Sequence, residues 1–402
     1  MPLGWIDYSR EERNKVISVL DLLSEKGTLD ELGVAPIRDG FANLFFPGTS
    51  TIQTRAKYFL IVPYACRDIE ISDETSPERA LKTLDNKERM CGERFREIDP
   101  DTDGLIGGVT LARNAWVKRP PSEIYWSGLK QYGIYNGTQT IREYLHAMCI
   151  IKRRKKAVSA LGNRNDDAEE GETDDRNADS LFKYRFWDIP TYEENWFDSL
   201  NMKLTPDEGR FLKKKIEESD ECKGSLLQYI LSNNVCEVKD IRTFSDLKHL
   251  VSSMPEAMQA DYESAVSFAD FIHVLQTVFT LVVTEDDNHN AMDEWNRLYP
   301  NLPIIASVDI DNVFNRLRIT YAHPQLKKFL QDCKVAMSAY DLDRLKTLVT
   351  KREISIKSAN RAKTTHPGEF DKDTWYGGGL LGYRFANARS IMLDIFESVG
   401  IC

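Results

Sequence analysis

Helix-start signals recur at short intervals along this chain, and they constrain its fold more than any other feature. Thr205-Pro206-Asp207-Glu208 combines a capping hydroxyl, a proline at the first helical position and acids in the first turn. Pro77 opens a charged segment over 77–98 in the same way. Ser9 with Glu12 reads as a capping box, and Ser122 and Thr138 stand as caps before two further segments. Between such starts the apolar residues keep helical spacing, as at Val16, Val19, Leu20 and Leu23. Only 304–308 and 316–321 have the character of short strands. The expected class is mostly α: multi-helical, with few or no strands.

Length and charge suggest how the helices group. At 402 residues the chain can hold two or three cores. The stretch NRNDDAEEGETDDRNADS has no apolar residue beyond alanine and cannot bury surface. It suggests two domains: a helical domain over 1–157, an acidic linker or loop over 158–180, and a second helical domain over 181–402. Residues 1–157 carry 24 basic against 22 acidic side chains, whereas the chain as a whole has a net charge of −10. A polyanion would therefore dock on the N-terminal part.

Several classes of protein are not expected. No apolar run approaches the ~20 residues that cross a bilayer, the most apolar being Phe279–Val283. Charge begins at Asp7 with no signal-like apolar run. The seven cysteines (66, 91, 149, 222, 236, 333 and 402) include no CxxC pair, so free thiols and a cytoplasmic setting are expected. The six histidines form no HExxH or HxH, and neither a GxSxG elbow nor a phosphate loop is present. Glu237-Val238-Lys239 with Asp207 has the residues of a restriction-type nuclease core, but Asp207 opens a helix where that chemistry needs a strand end. DPDTDGLIGGVT at 99–110 has calcium-loop spacing, with Thr110 where the bidentate Glu belongs. No cofactor and no metal is expected.

The candidate sites are basic. If a helix begins at Thr49 or Ser50 and buries Ile52, Ala56, Phe59 and Leu60, then Ser50, Gln53, Thr54 and Lys57 share its outer face, with Arg55 at the edge. Hydroxyls and cations suit phosphates and Gln suits base edges, and the preceding helix and Pro47-Gly48 turn complete a helix-turn-helix-like head. The run Lys152-Arg153-Arg154-Lys155-Lys156 is a second candidate for phosphate contact, with the acidic stretch after it as a possible intramolecular quencher. A third basic stretch holds Lys351, Arg352, Lys357, Arg361 and Lys363. The aromatic run over 182–197 would mark a protein-binding face if exposed.

GWIDYS at 4–9, PGTSTIQTRAKYFLIVPY at 47–64, PSEIYWSGL at 121–129 and GYRFANARSIMLDIF at 382–396 resemble an uncharacterised bacterial domain-of-unknown-function family over the whole length. The resemblance implies no activity and no catalytic residue. Some members of that family are encoded near helicases, methylases and nucleases of antiphage defence loci, which implies a place in a defence complex. The expected function is a non-enzymatic binding or scaffold component that meets DNA or RNA and other protein subunits, but no membrane. The alternative is a metal-dependent nuclease whose carboxylates only the fold brings together.

Overall fold

The computed structural model describes residues 30–113, 115–162, 185–191, 193 and 195–402. The helix expected after Ser9 and most of the acidic stretch over 158–180 lie outside these residues. The protein is multi-helical and mostly α. Its helices of seven or more residues are α1 (Ala35–Phe45), α2 (Tyr58–Ile71), α3 (Pro77–Ile98), α4 (Pro121–Gln131), α5 (Ile141–Gly162), α6 (Pro206–Glu218), α7 (Leu226–Ser232), α8 (Glu256–Val283), α9 (His289–Leu298), α10 (Ile310–Arg316), α11 (Pro324–Ser338), α12 (Leu342–Lys357) and α13 (Phe385–Ser398). Among the described residues the extended pairing is an isolated antiparallel bridge, Tyr135 with Trp187.

Where the sequence carries a complete cap, the helix starts as expected. At α6 the Thr205 hydroxyl accepts from Glu208 N–H while the Glu208 carboxylate accepts from Thr205 N–H. At α3 Ser76 caps ahead of Pro77. Other expectations shift. The reciprocal cap before α5 is Thr140 with Glu143, two residues later than expected. Ser122 lies inside α4, which starts at Pro121. The strand expected at 304–308 begins in the helical turn Leu302–Ile305.

The described chain divides into two compact units that do not follow the acidic stretch. Among the described residues, one comprises those up to 41 together with 251–383, the other those between 42 and 250 together with 384–402. In the first unit α8 packs against α9 and α12, and α11 packs against α12. By length and composition α8 matches a bilayer span, unlike the short apolar run read from the sequence, and 72% of its most apolar window is buried in the protein. Glu353 of α12 is fully buried and accepts from Lys363 N–H, Thr364 N–H and Lys357 Nζ. The third basic stretch is largely engaged in this unit, since Arg352 donates to the carbonyls of Leu32 and Gly33 and Lys363 pairs with Glu31.

In the second unit α2 packs on α3 and α4, α3 on α5, and α6 on α7 and α13. Of the aromatic run, the described Phe186, Trp187 and Trp196 are buried, and Trp187 contacts Trp126, Tyr135 and Tyr144. The condition for a protein-binding face there is not met by these residues. Cys236 and Cys402 form a disulfide, contrary to the expectation of seven free thiols, while the other five cysteines are free and buried.

Glu88 of α3 is buried and accepts from the backbone N–H of Ser122 (2.5 Å), serving an orphan donor in the first turn of α4. Its other oxygen lies 2.9 Å from the Ser122 hydroxyl. Burial pushes this carboxyl up to about 8 against the opposing hydrogen bonds from Ser122. The folded state thus holds the proton more tightly than the unfolded chain. The associated stability is complete below the ordinary glutamate range and is lost as pH rises through about 8, at no more than about 1.4 kcal/mol per pH unit. Thermal melts at pH 5, 7 and 9 are expected to show this decline in the wild type and a flatter profile in Glu88→Gln, which keeps the acceptor and cannot ionise. Equal slopes would contradict the assignment.

Candidate functional site

The segment 47–57, expected to begin a recognition helix, is a series of turns, and α2 starts only at Tyr58. The reason lies in its backbone N–H groups, which side chains from distant segments take over. The Tyr125 hydroxyl of α4 accepts from Thr54 N–H (2.8 Å) and Arg55 N–H (3.1 Å). Asp394 of α13 accepts from Ala56 N–H (2.8 Å). The segment's carbonyls are held as well, with Tyr132 Oη donating to Pro47 O, Arg384 Nη1 to Thr49 O, and Asn387 Nδ2 to Thr51 O and Gln53 O.

The side chains assigned to an outer face point elsewhere. Gln53 is 1% exposed and donates to the carbonyls of Gly48 and Ile124. Thr54 donates its hydroxyl to Gly104 O. Arg55 forms a forked pair with Asp394, through Nε (3.0 Å) and Nη2 (2.7 Å), and its Nη1 reaches Asp103 O. Burial opposes the guanidinium's charge, but the hydrogen bond and charge of Asp394 prevail and raise its pKa above the ordinary arginine value. Lys57 is 6% exposed, with Nζ 2.7 Å from both oxygens of Glu208. Ser50 is half-buried and donates its N–H to Gln53 Oε1. Hydroxyl, amide and cation identify polar chemistry in the sequence, but long-range partners decide whether it faces water.

The calcium-like loop belongs to this same framework. Gly104, at φ +75°, lies against the side chains of Thr54 and Arg55, so a side chain there would meet both conformational strain and collision. Among the described residues, no three His, Cys, Asp or Glu side chains come together in a manner that could hold a metal ion.

The basic run of α5 divides in two. Lys152 Nζ donates to the carbonyls of Ile69, Ser72 and Glu74, closing the C-terminal end of α2. Arg153, Arg154, Lys155 and Lys156 are exposed on the second half of α5, which runs on to Gly162. Arg153 Nε reaches Thr75 O, and Lys156 pairs with Asp73 at 2.8 Å. Asp73, in the α2–α3 connection, thus quenches part of this charge. Exposed cations clustered on one helix can engage phosphate oxygens.

Sequence reasoning missed Asp394, Glu208, Tyr125 and Asn387 as the residues that organise 47–57. One signal was present: the resemblance words at 47–64, 121–129 and 382–396 are the three segments that meet here.

Residues 1–147 match the model of a family of unknown function, DUF6361. The matched region includes the 47–64 and 121–129 words and stops short of α5's basic end and of α13. No curated protein and no solved structure matches the chain.

The ion pairs make a prediction about stability. Lys57→Met leaves Glu208 buried without its counter-charge, and Asp394→Ala does the same to Arg55, so each is expected to cost about 3–5 kcal/mol. Urea unfolding followed by circular dichroism measures this directly. A loss below about 1 kcal/mol would mean that the pairs behave as exposed ones.

Proposed function

We propose that the protein is a non-enzymatic binding component of a bacterial complex that handles nucleic acid, in the setting of antiphage defence that the resemblance implies. The observation that carries this reading is the exposed cation group Arg153, Arg154, Lys155 and Lys156, held on α5 next to a helix end that Lys152 secures. Phosphate contact by such a group is independent of base sequence and depends on salt through release of counterions. Gln53, Thr54, Arg55 and Lys57 serve in this reading as the internal frame of the second unit, since their donors are engaged within the protein. Residues that read base edges are not part of the proposal, so binding is expected to favour charge density over sequence. The nuclease alternative would need three or more acidic side chains in one cleft, and no described residue group supports it.

The test is fluorescence anisotropy of the full chain with single-stranded DNA, duplex DNA and RNA of equal length across a salt series. Arg154→Ala with Lys155→Ala is expected to reduce the slope of log K against log salt by about 1.8 on duplex DNA, two phosphate contacts at ~0.9 each. Both side chains are exposed, so the variant is expected to melt like the wild type. No binding at about 50 mM salt, or a slope unchanged by the double substitution, would overturn the reading.

A further inference from the structure

Cys236 and Cys402, separated by 166 positions in the chain, form the disulfide of the second unit. Cys236 opens the 3-10 turn Cys236–Asp240, which packs against α13 and buries Val238 completely. Arg389 of α13 holds the same turn, donating to the carbonyls of Val238 and Lys239. Cys402 lies just beyond α13, where Gly400 N–H donates to Glu397 O and Ile401 N–H donates to Phe396 O. The turn and the segment after α13 are therefore each seated by contacts that involve no sulfur. The disulfide adds a covalent tie between two pieces already in place.

Two features set this pair apart from the other five cysteines. The first is access. Cys402 is exposed and Cys236 half-buried, whereas Cys66, Cys91, Cys149, Cys222 and Cys333 are buried. Burial also raises each of those five thiols above the ordinary range. A thiolate is the species that exchanges, so the five are shielded both by position and by protonation. The second feature is the set of acceptors around the pair. Cys236 Sγ lies 3.6 Å from Ile401 O, and Cys402 Sγ lies 3.8 Å from Cys236 O. A thiol is a weak donor, whereas a disulfide sulfur has no proton to give. Cleavage of the bond thus creates two donors with carbonyls at hand, and the dithiol form fits the same backbone.

We propose that Cys236 and Cys402 are a reversible thiol–disulfide couple, open to exchange with dithiols and with low-molecular-weight disulfides, that fastens the segment after α13 to the 236–240 turn. In the reducing direction the thiolate of a dithiol attacks the exposed Sγ of Cys402. A mixed disulfide forms, the Cys236–Cys402 bond breaks, and Cys236 Sγ leaves and takes up a proton. The second thiol of the reductant then attacks the reductant's own sulfur in the mixed disulfide and releases Cys402 as a thiol. Two electrons and two protons pass to the protein, and the reductant leaves as its disulfide. Glutathione disulfide reverses the change: one cysteine takes up a glutathionyl group with release of one glutathione, and the other cysteine displaces the second. Because the bond closes a long loop, it restricts the unfolded chain more than the folded one and raises the melting temperature of the oxidised form.

The experiment takes the full chain, oxidised with glutathione disulfide or reduced with dithiothreitol, alkylates it without denaturant and maps the label by peptide mass spectrometry. The oxidised protein is expected to take no label while folded. The reduced protein is expected to take two, at Cys236 and Cys402, with the five buried thiols labelled only in denaturant. Renewed exposure to glutathione disulfide is expected to restore the bond within the monomer, at a rate independent of protein concentration. Reduction is expected to lower the melting temperature by about 5 °C or more, and Cys402→Ser to melt like the reduced wild type with or without reductant. Label at Cys236 and Cys402 after treatment with glutathione disulfide, or a bond that yields only in denaturant, would overturn the proposal. Reoxidation into dimers, or equal melting temperatures for the two forms, would do the same.

Discussion

Two buried ion pairs, Lys57 with Glu208 and Arg55 with Asp394, govern the second unit. A charge removed from water requires a partner at hydrogen-bond distance. Here the partners lie 151 and 339 residues away along the chain. The turn segment 47–57 can hold its shape only when α6 and α13 are in place. Glu208 carries a second duty, since the same carboxylate that receives Lys57 closes the capping box of α6. The start of α6 and the position of the turn segment are thereby coupled through one side chain.

The same device recurs in both units. A protein built of many short helices has many first-turn and connecting N–H groups without a helical acceptor. Buried carboxylates supply them: Glu88 for Ser122, Asp394 for Ala56, and Glu353 for Lys363 and Thr364. Each carboxylate sits on a helix and serves a segment outside that helix, from 10 residues away for Glu353 to 338 for Asp394. Acidic residues that read as ordinary solvated positions on an amphipathic helix therefore act as internal acceptors. This also accounts for part of the basic content, because Lys57, Lys357 and Arg55 are the cations that such carboxylates hold.

This bears on how function is assigned to the chain. Polar residues gathered over 50–57 have the types of a recognition helix, yet their donors are engaged by tyrosine, carboxylate and carbonyl groups inside the unit. The cations over 153–156 of α5 are exposed. Exposure, decided by tertiary partners, separates an internal frame from side chains open to solvent.

Much of the secondary structure could be read directly. Capping signals and a proline in the first turn place the starts of α3 and α6, because these signals act over four or five positions and need no distant partner. The absence of strand patterning over most of the chain likewise determined a helical class. What the tertiary structure alone decided is where polar groups find partners. It turned an expected helix at 50–57 into turns, since Tyr125 and Asp394 offer its N–H groups acceptors that a local helix would otherwise provide. It also grouped 42–250 with 384–402, and 251–383 with the described residues before 42, an arrangement no local composition encodes. Helix starts are local hydrogen-bond problems and are written locally; burial of a charge is solved by whichever segment the fold brings within reach.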